Sequence, residues 1–121
     1  MVGGPLLVVG ATGDVGRGIV AASLLSGRKV VASGRNEATL ATLADRHGDA
    51  ALKCIVGDLS SEATAAALWD RTTDCFGTVG AVVVSVRTAT RPAPLESWNA
   101  GELMAAYAGD VLTHFNAART F

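Results

Sequence analysis

The sequence predicts a doubly wound α/β sheet, on three observations. Short apolar runs alternate without exception with stretches whose apolar residues follow helical spacing. The first run, Leu6–Val9, is apolar throughout, as in a strand covered on both faces. A turn with three evenly spaced glycines separates the first run from the first helix. Strict strand–helix alternation gives parallel strands joined by right-handed crossovers.

Each element follows from its own residues. Leu6–Val9 is the first strand, and Val15–Ser26 the first helix, with Val15, Ile19, Val20 and Leu24 at helical spacing and Gly27 ending it. Lys29–Ser33 is the second strand. The second helix, Asn36–His47, has Asn36 as N-cap, Leu40, Leu43, Ala44 and His47 near one face, and Gly48 as its stop. Leu52–Val56 is the third strand, followed by a helix of about fifteen residues that turns Ala65, Leu68, Trp69 and Phe76 to the core. Ala81–Val86 is the fourth strand. The stretch RTATRPAP is a loop, because its prolines and the residues before them resist helix. A last amphipathic helix runs from about Trp98 to the end, with Leu103, Tyr107, Val111, Phe115 and Ala118 on or near one stripe.

Bulk properties narrow the class. The 121 residues are 50% apolar and 17% charged, a globular rather than a disordered composition. Residues 1–121 read as one domain without internal repeats. The net charge of −1 supplies no basic field for nucleic acid or an anionic membrane. No run approaches the roughly 18 apolar residues of a membrane span, and the N-terminus lacks a basic signal region. Cys54 and Cys75 form no CxxC pattern and read as two buried thiols of a reducing, cytoplasmic setting.

The chemistry centres on LLVVGATGDVGRGIV, Leu6–Val20. Glycine admits positive φ and lets backbone approach a ligand closely. The free N–H groups and dipole of a helix start favour a phosphate. After an apolar strand and inside a βαβ unit, Gly10, Gly13 and Gly16 read as a pyrophosphate turn, with Thr12, Asp14 and Val15 completing its lining; a tight turn that binds nothing is the alternative. No Gly-Lys-Ser/Thr follows, which excludes a Walker-type loop.

The end of the second strand reads VVASGRN. NAD-preferring dinucleotide folds place an acidic residue there for the ribose 2′-OH. Here Ser33, Gly34 and Arg35 stand instead, and a guanidinium takes a 2′-phosphate bidentately, which favours NADP; a solvated turn arginine is the alternative. Asp58 either accepts from the adenine amino group or caps the third helix, and Leu59 packs beside the adenine. Arg17, one residue past Gly16, reads as a helix-surface arginine, with approach to a phosphate as the alternative. Asp110 and His114 share a helix face as a surface pair, two groups being too few for a metal site. Arg87 and Arg91 flank the loop after the fourth strand, either solvated or facing a phosphate or acidic substrate. Trp69 and Trp98 read as packing residues.

The segments VVGATGDVGRGIV, VVASGRNEATLATLA, VGDLSSEA, AVVVSV and GDVLTHFNAARTF occur in the order in which their counterparts occur in the short-chain dehydrogenase/reductase (SDR) family. Across essentially its whole length the chain resembles the N-terminal half of such a protein. The resemblance implies a Rossmann-type sheet, truncated after the fourth strand and its following helix. It also implies NAD(P) binding and oxidoreductase ancestry, with a small-molecule substrate in the intact parent. Gly10, Gly13 and Gly16 would line the pyrophosphate, Arg35 the 2′-phosphate and Asp58 the adenine, with Ser85 flanking the cofactor.

The sequence departs from the family pattern in ways that bear on activity. GATGDVG is closer to extended or atypical members than to the common GxxxGxG. VSVRT stands where many members carry Asn-Asn-Ala-Gly. Asp110 matches the family's supporting asparagine, keeping its size and losing its donor. The family's Tyr-x-x-x-Lys cannot be built: Val111 follows four residues after Tyr107, and the lysines are Lys29 and Lys53. The chain stops within a helical pattern, so the expectation is a fragment. In the family strand order 3-2-1-4-5-6-7, strand four then becomes an unprotected edge that pairs with a missing half, another copy or an aggregate. The leading expectation is the NADP-binding part of an SDR oxidoreductase, inactive alone. The alternatives are a non-catalytic NADP sensor and a by-product without function.

Overall fold

The structure, a computed structural model, describes residues 3–48, 50–88 and 92–121. Among these, the elements run β1 (Leu6–Val9), α1 (Asp14–Leu25), β2 (Val30–Gly34), α2 (Glu37–His47), β3 (Leu52–Val56), α3 (Glu62–Phe76) and β4 (Ala81–Val84). A 3-10 turn (Leu95–Ser97), α4 (Ala100–Tyr107), a π turn (Ala108–Leu112) and α5 (Thr113–Thr120) follow. The strands form one parallel sheet in the order β3-β2-β1-β4. This is the doubly wound, Rossmann-type sheet expected.

Alternate residues of the central strand serve opposite faces. Leu6 and Val8 join Val20, Val30, Ala32 and Leu43 in a core on one side. Leu7 and Val9 join Val31, Leu59, Ala65, Leu68 and Ala117 on the other. All four residues of β1 are buried, as its unbroken apolar run requires. Cys54 packs on the first side and Cys75 on the second, so the thiols are free and apart. Both are half-buried rather than fully buried. Burial pushes the Cys54 thiol up, which keeps it protonated near neutral pH.

Local chemistry fixes the helix ends. Asn36 caps α2, its side chain accepting from the N–H groups of Ala38 at 2.9 Å and Thr39 at 3.2 Å. Gly48 closes that helix in the left-handed region at φ 54°. Ser61 caps α3 through a reciprocal box with Thr64. The expectation that Asp58 caps this helix is therefore corrected.

Four further expectations change. The fourth strand ends at Val84 rather than Val86. Ser85 still donates to the Val9 carbonyl at 2.8 Å, but β1 then turns away at Gly10, φ 83°, and leaves no ladder partner. Val15 is exposed rather than packed. The last helix starts at Ala100, not Trp98, and a π turn breaks it into α4 and α5. Its apolar stripe does not face the core: Leu103, Tyr107, Val111 and Phe115 are all exposed, while Thr113, Asn116 and Ala117 are buried. Asn116 Nδ2 donates to the Leu59 carbonyl at 2.8 Å, and this buried hydrogen bond accompanies the inward turn of the small and polar face. Trp69 stacks on Phe121 with ring centroids 5.2 Å apart, so Trp69 packs as expected. No helix among the described residues is long and apolar enough to cross a membrane.

Leu68 is buried and Leu103 exposed. Leu68→Ala should destabilise by about 2–5 kcal/mol. Leu103→Ala should change stability by no more than about 0.5 kcal/mol. Chemical denaturation of both variants checks the assignment, and comparable losses would contradict the orientation of α4.

Candidate functional site

In an open parallel sheet a ligand crevice forms beyond the C-terminal strand ends, where the strand order reverses. Here β1 lies between β2 and β4, and a cleft of about 1120 Å³ opens at their C-terminal ends. Its lining includes Gly10, Thr12, Gly13, Asp14 and Val15 from the glycine turn, Gly34 and Arg35 after β2, Asp58 and Leu59 after β3, and Ser85 after β4. The structure thus brings together residues from four separate segments, all singled out in the sequence. Gly16 is the exception: it is buried beneath the turn and does not line the cleft.

The turn is held by backbone. The Ser33 carbonyl accepts from the N–H groups of both Gly10 and Ala11, each at 3.0 Å. A Cβ on Gly10 would collide with the Ser85 carbonyl, and one on Gly16 with the Gly10 carbonyl. Gly13 differs: its ideal Cβ meets only the Gly10 carbonyl, at an unstrained 3.6 Å, and its φ is −74°. The fold itself therefore permits a side chain at Gly13. The absence of one, together with the lack of a side-chain cap on α1, leaves the first-turn N–H groups open to the cleft. That arrangement fits the phosphates of a dinucleotide.

Asp58 is anchored by Ser60. Its Oδ1 accepts from the Ser60 N–H at 2.8 Å and also from the Ser60 hydroxyl. The Ser60 hydroxyl, then the Ser60 N–H, hold the carboxyl below its usual range, and Arg35 adds a smaller attraction. Arg35 is exposed at the cleft. The Thr12 hydroxyl lies close to Gly34, 3.4 Å from the position a Cβ would take there.

At the other end, Val86, Arg87 and Thr88 line the cleft with Gly109, Thr113 and His114. The Asp110 carboxylate does not line it; it accepts from the Thr88 N–H and pins the loop after β4 to the π turn. A Cβ on Gly109 would collide with the Thr88 side chain. His114 Nδ1 lies 2.8 Å from the Asp110 backbone carbonyl, so imidazole and carboxylate do not pair through their side chains. No metal-binding group of three or more ligands occurs among the described residues. Arg17 is ion-paired with Asp14 at 2.6 Å on the flank of α1. Arg91 lies outside the described residues. Gly109, Thr113 and His114 carried no signal as cleft residues in the sequence, because only the docking of the last helix brings them there.

The lowered Asp58 pKa stabilises the fold above the ordinary aspartate value, where both folded and unfolded states are ionised. As pH falls through the unfolded value and towards the lower folded one, the unfolded chain binds the proton first and that stabilisation is lost. The group is part-exposed, so the loss should be no more than about 1 kcal/mol. Denaturation curves below pH 5 should show this loss in the parent and not in Asp58→Asn.

The comparisons agree with this geometry. A family model described as short chain dehydrogenase matches residues 5–121. Among solved structures, a 3-ketoacyl-(acyl-carrier-protein) reductase from Brucella melitensis complexed with NADH is 26% identical, with a TM-score of 0.89 over 97% of this chain and 48% of its own. A short chain dehydrogenase from Mycobacterium smegmatis is 23% identical, with a TM-score of 0.89 over 98% of this chain and 50% of its own. A sorbitol-6-phosphate 2-dehydrogenase from Erwinia amylovora shares the fold at 20% identity and a TM-score of 0.83, over 96% and 46%. The chain thus spans about half the length of these structures. Comparison with curated proteins found no match. With the family match running through the glycine turn, the cleft and the last helix alike, this chain belongs to the short-chain dehydrogenase/reductase family.

Proposed function

We propose that this chain is the NADP-binding part of an SDR oxidoreductase that reduces a carbonyl or oxidises an alcohol on a small molecule. The observation that carries the reading is the cleft itself. It joins an uncapped helix N-terminus over a glycine turn to an exposed arginine after β2, where no carboxylate stands. The open N–H groups of α1 hold the pyrophosphate. Arg35 takes the 2′-phosphate, while Asp58 accepts from the adenine amino group beside Leu59. Ser85 flanks the nicotinamide half. When bound, the nicotinamide supplies or accepts the hydride.

The chain's own residues do not supply the family's proton relay. Tyr107 is followed four residues later by Val111. Lys29 and Lys53 lie over the Phe76 ring, 5.4 and 5.3 Å from its centre, at the end of the sheet away from the cleft. The reading is therefore binding without turnover by this chain alone. The same observation favours a second reading, a non-catalytic NADP sensor. NADPH oxidation by the isolated chain with any carbonyl substrate would contradict both.

Fluorescence titration should give NADPH at least about tenfold tighter than NADH, and Arg35→Asp should abolish or reverse that preference. Equal affinity, or tighter NADH, in the parent would sink the role of Arg35.

The outer edge of β4 is the expected pairing surface. β4 bonds only to β1 among the described residues, and Ala81–Val84 carry no charge or proline. Concentration-dependent self-association, with slowed amide exchange in Ala81–Val84 as concentration rises, is the expected result. A monomer at high concentration with unchanged exchange would contradict it.

A further inference from the structure

Asp14 is the first residue of α1 and lines the cleft where the pyrophosphate is placed. Its side chain is almost wholly exposed, at 97%, and its only ion pair among the described residues is with Arg17, at 2.6 Å. A carboxylate at this position has two opposed effects. It favours the helix through the N-terminal dipole, and it opposes any anion that approaches the same N–H groups. Arg17 stands on the helix flank outside the cleft lining, so it offsets the carboxylate without itself occupying the phosphate position.

We propose that the Asp14–Arg17 pair sets dinucleotide affinity: Asp14 holds it down by repelling the pyrophosphate, and Arg17 limits that repulsion by pairing with Asp14. The inference rests on the reading of the cleft as a dinucleotide site. It concerns the pyrophosphate end and is independent of the 2′-phosphate preference at Arg35. The geometry supports it, because a charge on the first helical residue lies beside the N–H groups that Gly13 leaves open. A repulsion between solvent-exposed charges a few ångströms apart corresponds to roughly a three- to tenfold change in binding.

The test uses three probes on this chain: NADPH, ADP and 2′-AMP, the last carrying a 2′-phosphate but no pyrophosphate. Asp14→Asn should tighten NADPH and ADP about three- to tenfold and leave 2′-AMP unchanged. The gain should shrink as salt is raised. Arg17→Gln should weaken NADPH, and should do so less in the Asp14→Asn background. Thermal melting without ligand should show Asp14→Asn slightly less stable than the parent. Tighter binding from a less stable protein is a combination that a merely structural role would not produce. Unchanged or weaker NADPH binding by Asp14→Asn, in a parent that binds NADPH, overturns the inference, as does an equal gain for 2′-AMP. An absence of Arg17→Gln weakening overturns the part assigned to Arg17. Failure of the parent and both variants to bind any of the probes would instead remove the dinucleotide reading of the cleft, and this inference with it.

Discussion

The close backbone approach at the end of β1 is the constraint on which the rest of the site depends. One carbonyl, that of Ser33, accepts from two successive N–H groups, Gly10 and Ala11, and draws the chain out of the sheet plane. Gly10 passes so near the Ser85 carbonyl, and Gly16 so near the Gly10 carbonyl, that neither position has space for a Cβ. These contacts join the ends of β1, β2 and β4 to the start of α1. The same turn ends the β1–β4 ladder and so shortens the fourth strand. The cleft is a consequence of this packing.

The three glycines therefore do different work, although their spacing is even. Gly10 and Gly16 satisfy the fold, while Gly13 leaves the helix start uncovered. Phosphate recognition by backbone N–H groups needs both: a turn rigid enough to aim them, and one position without a side chain to shield them. Asp14 places a charge at the same helix start, where helix stability and anion affinity favour opposite signs.

A second backbone contact organises the far end of the cleft. The π turn interrupts the last helix at Ala108–Leu112, where Asp110 takes the Thr88 N–H and Gly109 admits the Thr88 side chain at close range. Asp110 thus holds the loop after β4 in this chain. A carboxylate suffices, because the partner is a donor. Asn116, six residues beyond Asp110, donates to the Leu59 carbonyl and so ties α5 to the segment after β3.

The sequence by itself determined the first three strands, the first three helices, the parallel sense of the sheet and the glycine turn, because those features rest on strand–helix alternation, local spacing and residues whose preferences act over a few positions. Leu6–Val9 is apolar throughout and central, and Asn36 and Gly48 end α2 as their side chains and φ preferences dictate. It also placed Arg35, Asp58 and Ser85 at strand ends, which the topology turns to one side. The tertiary structure decided what depends on distant partners. The apolar stripe of the last helix reads as a core face, yet a buried hydrogen bond from Asn116 to Leu59 accompanies the opposite face turning inward. The sequence pattern prolongs β4 to Val86, but its neighbour turns away after Val9 and ends the ladder. Gly109 and His114 reach the cleft only because the helix docks there. Periodicity states which residues share a face; which face is covered depends on the shape and polarity of the partner that packs against it.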